Sequence, residues 1–140
     1  MAVNPQVEAV REAVGALNRG DVEGYLRAFT ADCRRWLPGV PDPLSLVEIG
    51  ASLEPVMAAL DGFRLEEVLL FGDGRHVCAR WRMVGTHSGN QLGIPATRRP
   101  VAVETAKIYE FEREDGGLVR ASWCFADPME MFRQLNSPAD

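Results

Sequence analysis

The 140 residues carry 15 basic and 20 acidic side chains, a net charge of −5 that excludes a general nucleic-acid binder, because neutralising phosphates needs a basic surface. Apolar residues make up 46% and charged residues 25%, which excludes a disordered chain, and no apolar run approaches the roughly 18 residues that span a bilayer. The length suits a single domain over residues 1–140 with a substantial core.

The start, Met-Ala-Val-Asn-Pro-Gln-Val-Glu, lacks a basic segment followed by an apolar one, so no export signal is read and a cytoplasmic location is expected. Cys33, Cys78 and Cys124 are odd in number and widely spaced, which predicts reduced thiols rather than a disulfide frame or a zinc site. His76 and His87 have no third ligand at useful spacing, so neither metal nor cofactor is expected.

Val7, Val10, Val14 and Leu17 recur at helical spacing from Pro5 to Asn18, with Gly20 suited to the stop. Asp21 can cap a second helix that buries Val22, Tyr25, Leu26 and Phe29 and ends before Asp32. Cys33 to Leu37 is a short strand candidate, stopped by Pro38 and Gly39. Ser45 and Glu48 stand at capping-box spacing and open a third helical region, broken or restarted at Pro55 and running to about Leu60.

Beyond Gly62 the period changes to two. Strands are predicted over Phe63 to Phe71, His76 to Thr86, Val101 to Phe111 and Leu118 to Phe125. Turns at Gly72 to Gly74 and at Glu114 to Gly117 separate them, and Gly85 to Pro100 is a long connection. Asp127-Pro128-Met129-Glu130 has the form of a helix start, and the helix it opens would pack through Met131, Phe132 and Leu135. Helices followed by long antiparallel strands predict an α+β fold, a curved sheet wrapped on the N-terminal helices as a cone with an interior pocket.

In the strand from Val101, the odd positions give Val103, Thr105, Lys107, Tyr109 and Phe111 on one face, an apolar stripe with one charge in its middle. Lys107 is the only lysine; the other 14 basic residues are arginines. Lysine offers a compact point charge that burial can tune, which arginine does not. Lys107 is therefore either a pocket residue or a lysine snorkelling at a sheet edge.

The run Gly85-Thr86-His87-Ser88-Gly89, then Leu92-Gly93-Ile94-Pro95-Ala96-Thr97 and Arg99-Pro100-Val101, resembles the SnoaL-like polyketide cyclase family. The Ala16 to Asp21 turn, Phe29 to Asp32, Trp123 with Asp127, and Arg133-Gln134-Leu135 extend the resemblance over nearly the whole chain. It implies the nuclear transport factor 2-like, or cystatin-like, cone and ring closure by aldol chemistry in antibiotic biosynthesis, with no cofactor or metal. It also implies a small polyketide-like substrate and a homodimer formed through the outer sheet face. The cyclases assign their acid/base work to a histidine on the third long strand and an aspartate just before the tryptophan of the fourth. Those positions hold Lys107 and Ser122 here, and the tyrosine position of the related steroid isomerases holds Ala13.

The expected catalytic set is Lys107, stabilising an enolate, with His87 or a water moving the proton and Asp127 as a further carboxylate, although its Asp-Pro-Met-Glu context suits a helix cap better. Arg120, Ser122 and Cys124 share one face of the fourth strand, and pairing of that strand with the one from Val101 would bring them near Lys107. Thr105, Tyr109, Trp36, Trp81 and Tyr25 are candidates for the pocket wall or the core. Two other activities fit the same scaffold, epoxide opening or isomerisation on one side and non-catalytic ligand binding on the other.

Overall fold

The computed structural model describes residues 4–127 and 129–136. Helix α1 (Pro5–Asn18) starts where the Asn4 side chain accepts the backbone N–H groups of Gln6 and Val7, and it buries Val7, Val10, Ala13, Val14 and Leu17. Helix α2 (Val22–Leu26) is capped by Asp21, and strand β1 (Phe29–Trp36) follows almost at once. Phe29 was expected on a helix face; it is instead the first strand residue. One turn of helix has little stability of its own, whereas strand pairing begins here, with Val119 N–H donating to Ala28 O at 2.8 Å.

Helix α3 (Leu46–Ala59) opens with the expected Ser45–Glu48 capping box and runs through Pro55 without a break. Strands β2 (Leu60–Asp73), β3 (His76–His87), β4 (Pro100–Arg113) and β5 (Gly116–Phe125) then form a meander, and helix α4 (Glu130–Leu135) ends the described chain. The sheet order is β1-β5-β4-β3-β2, antiparallel except for β1, which lies parallel to β5. This is the predicted α+β arrangement of a curved mixed sheet packed on helices. The interior pocket expected from the sequence is nearly filled where α1 meets the sheet: the void there measures about 10 Å³, room for roughly one water, so a larger ligand requires the helices to move off the sheet.

Alternation along the strands sets the two faces of the sheet. Val77, Ala79 and Trp81 of β3 and Val101, Val103, Lys107, Tyr109 and Phe111 of β4 are buried against the helices. Gly85 sits where any side chain would collide with Leu60, whose Cβ would lie 2.9 Å from the added carbon.

Two side-chain amides stand in for missing strands. Asn18, at the end of α1, accepts from Leu65 N–H at 2.8 Å and donates to Leu65 O at 3.0 Å. Gln134 of α4 accepts from Ala102 N–H at 2.9 Å and donates to Ala102 O at 2.7 Å, on the side of β4 that β5 does not reach. Beside it Leu135 is buried against Leu60, Val101 and Val103, with Met131 packed on the same cluster. Phe132, expected in that contact, is exposed. A six-residue helix has a narrow inward stripe, and Met131 with Leu135 fills it. Pro128, the expected first-turn proline, lies outside the described residues.

Candidate active site

The inward face around Lys107 is built from three strand rows. Tyr109 pairs with Ser122, and Ser122 with Arg35 of β1. Lys107 lies between Ala79 and Cys124, and Thr105 lies beside Trp81. Arg35 and Lys107 are only 4% and 8% exposed, and the other buried polar side chains among the described residues are Gln6, His87 and Ser122. Two cations are thus buried with no buried carboxylate to offset them, an arrangement that is costly unless an anion joins it.

Arg35 is fixed from both sides. Its Nε donates to Ser122 Oγ at 3.0 Å and its Nη2 to Tyr25 Oη at 2.6 Å. The guanidinium carbon stands 5.4 Å from the Phe29 ring centre and 5.7 Å from that of Tyr25, close enough for cation–π attraction. Burial acts to raise the Tyr25 phenol, yet Arg35 and Lys107 outweigh it and bring the group below its ordinary value. Tyr109 goes the other way, pushed well up by burial and then by Tyr25. The Tyr109 hydroxyl meets the Tyr25 hydroxyl and Trp81, while Thr105 Oγ1 is buried without a hydrogen-bond partner among the described residues, so this wall carries polar groups that a ligand could meet.

The remaining expected site residues lie elsewhere. Arg120 does not share the face of Ser122 and Cys124. The register between β4 and β5 shifts around Glu110 and Phe111, and such an irregularity resets the alternation. Arg120 is exposed and donates to Glu110 Oε2 at 2.6 Å. Trp36 and Trp123 stack with ring centres 5.3 Å apart, and an apolar groove beside them reaches Leu37, Pro38, Cys124 and Phe125. Asp127 is exposed; the Met129 N–H and the Arg133 guanidinium both bind its carboxylate and hold it below the usual range.

His87 stands eight residues along β3 from Ala79, the partner of Lys107, roughly 25 Å at strand spacing. It is fully buried, and its Nδ1 accepts from Thr97 N–H at 3.1 Å, so the ring proton belongs on Nε2. His87 N–H also donates to Arg99 O, and Arg98 N–H to His87 O. The histidine therefore closes the loop from Ser88 to Arg99 onto the end of β3.

Arg35 is the site residue that the sequence did not reveal. The available signal was its alternation with Cys33, which places both on one face of a short strand. Its partner strand, 87 residues away, carried no such mark. Among the described residues no group of three His, Cys, Asp or Glu is placed to hold a metal ion, and no helix is long and apolar enough to cross a membrane.

A curved five-stranded sheet packed on helices, with polar groups on its concave side, is the nuclear transport factor 2-like, ketosteroid isomerase-like fold. The chain belongs to the SnoaL-like polyketide cyclase family, whose model matches residues 7–135. Among solved structures it is similar to AclR from Streptomyces galilaeus, a hydroxylase candidate, at 20% identity and a TM-score of 0.83, with 98% of this chain and 100% of that one covered. IdmH from Streptomyces antibioticus, a polyketide cyclase candidate, is similar at 21% identity and a TM-score of 0.80, covering 91% and 96%. TsrD from Streptomyces laurentii follows at 24% identity and a TM-score of 0.79, covering 99% and 100%. No curated protein sequence matches the chain.

Proposed function

We propose that the protein is an enzyme of polyketide metabolism that closes a ring through an enolate, without a cofactor, and that Lys107 and Arg35 supply the positive field in which the enolate forms. The observation that carries this is the pair of buried cations with no buried carboxylate. Preorganised donors in a site closed to water act on charge as it develops, and they need no reorganisation when it does. Family membership supports a polyketide-like ketone as the substrate. Thr105, whose hydroxyl is buried without a partner among the described residues, and the neighbouring Trp81 and Tyr109 would orient its oxygens.

The test uses 2-naphthol, an aromatic enolate mimic whose neutral and ionised forms absorb differently. Wild-type protein is expected to bind it as the naphtholate at a pH where free naphthol is neutral. Lys107→Met and Arg35→Met should each move the bound ionisation back by about one pH unit, a tenfold change. Uptake only as neutral naphthol, or no uptake, overturns the reading.

A homodimer through the outer sheet face belongs to the same proposal. Phe71, Cys78, Ile108, Trp123 and Trp36 lie in register across all five strands. Ion pairs flank that apolar row, with Arg80 on Glu104 at 2.8 Å and Arg120 on Glu110 at 2.6 Å, so a second copy turned by half a rotation would meet groups of both signs. Light scattering should give twice the chain mass for wild type and the single mass for Trp123→Arg. A wild-type monomer at micromolar concentration would count against it.

A further inference from the structure

We propose that Tyr25 is the proton carrier of this site: its phenolate, held by Arg35, takes the α-proton of the bound ketone and later returns it to the alkoxide made by ring closure. The inference rests on the reading above, in which Lys107 faces the enolate oxygen.

Elimination comes first. The buried polar and charged side chains among the described residues include no carboxylate, and the one buried imidazole, His87, stands at the far end of β3. The groups that act on Tyr25 are Arg35 from β1 and Lys107 and Tyr109 from β4, and those next to these in turn are Cys33, Ser122 and Cys124. The neighbouring faces of α1, α3 and β3 offer Val10, Ala13, Ile49, Val77, Ala79 and Trp81, none of which titrates. The guanidinium stays charged, and burial foremost pushes the Cys33 thiol up and keeps it neutral.

Geometry then separates the two phenols. Tyr25 Oη accepts the Arg35 Nη2 hydrogen bond, and the second Arg35 bond, to Ser122, keeps the fork aimed. Tyr109 receives no hydrogen bond from a cation among the described residues; its hydroxyl meets Tyr25 and Trp81 instead. One phenol is therefore poised to ionise while its neighbour stays a neutral donor, the division of labour that acid/base chemistry requires. The charge balance agrees, since two buried cations find two anions, the Tyr25 phenolate against Arg35 and the enolate against Lys107.

Each step balances. The substrate C–H bond breaks as the Tyr25 O–H bond forms, and the electron pair moves to the ketone oxygen as an enolate. The enolate carbon then bonds to a second carbonyl carbon, whose π pair becomes an alkoxide, and the Tyr25 proton passes to that oxygen. The phenolate is regenerated, and nothing is oxidised, reduced or released.

The chain has only two tyrosines, so ultraviolet titration of phenolate assigns them directly. One tyrosine should ionise below the ordinary value of about 10, and that transition should vanish in Tyr25→Phe. The chemistry is read by α-hydrogen exchange of 1-tetralone in deuterium oxide, followed by NMR. A depressed phenol is ionised above its own pKa and protonated below it, so exchange should fall as pH drops through the Tyr25 transition. In Tyr25→Phe the pH-dependent limb should disappear and the rate should drop about 10²-fold or more. Exchange and its pH profile unchanged in Tyr25→Phe, exchange lost instead in Cys124→Ala, or wild-type exchange no faster than buffer would each overturn the proposal. Tyr25 titrating together with Tyr109 would overturn it independently of any ligand. Loss of naphtholate binding by wild type would instead sink the cationic-site reading.

Discussion

Lys107→Met is expected to cut turnover by about 10²–10³-fold, the usual loss when one preorganised donor is removed from a developing oxyanion, while leaving the fold intact. The side chain lies in an apolar wall between Ala79 and Cys124, and no hydrogen bond or ion pair reaches its amine among the described residues. The packing therefore does not depend on the charge, which acts on the Tyr25 phenol instead, and methionine of similar length fills the same space. The melting temperature should stay level or rise, since an uncompensated buried charge is removed. Lys107→Arg is the sharper variant: it keeps the charge but needs room for a planar fork where Trp81 and Tyr109 already pack. Tetralone exchange and thermal melting together read both effects. Wild-type exchange rates in both variants would leave Lys107 as a strand lysine without a catalytic part.

Deleting the chain from Asp127 onward is expected to lower the melting temperature by on the order of 10 °C. Leu135 is 3% exposed, and losing its burial amounts to about 2 kcal/mol. Gln134 makes two hydrogen bonds to Ala102, each of about 1 kcal/mol. Those losses are a large fraction of the roughly 5–15 kcal/mol that holds a typical domain together. Gln134→Ala should account for about a third to a half of the effect, whereas Phe132→Ala, at an exposed position, should change little. A truncated protein that melts with wild type would show that α4 contributes nothing to the core.

The residues at which sequence and structure agree, and those at which they differ, share a physical logic. A period of two holds wherever a strand is regular, so the face carrying Val103, Lys107 and Tyr109 and the face carrying Val77, Ala79 and Trp81 were both visible in the sequence. It fails at an irregular register: Arg120 was assigned inward because nothing in Leu118 to Phe125 announces the shift opposite Glu110 and Phe111. Arg35 was missed because its meaning comes from Tyr25 and Ser122, and a parallel pairing between the first and last strands leaves no periodic trace. The stretches that carried the family resemblance turn out to include fastenings. Asn18, His87 with Thr97, and Gln134 all bind backbone or close a loop, which explains how the fold could be read so fully while the chemistry could not.

The parallel pairing of β1 with β5 also governs when the site can exist. Arg35 and Ser122 are 87 residues apart in sequence, and closing so long a loop is slow compared with forming a helix or a hairpin. During synthesis from the N-terminus, α1, α2 and β1 emerge first, and Arg35 must wait until nearly the last strand has been made. The hairpins β2–β3 and β4–β5 need only neighbouring segments and can form earlier. Assembly of the cationic wall is thus a late event in the life of each chain, and an incomplete chain carries a sheet without the chemistry.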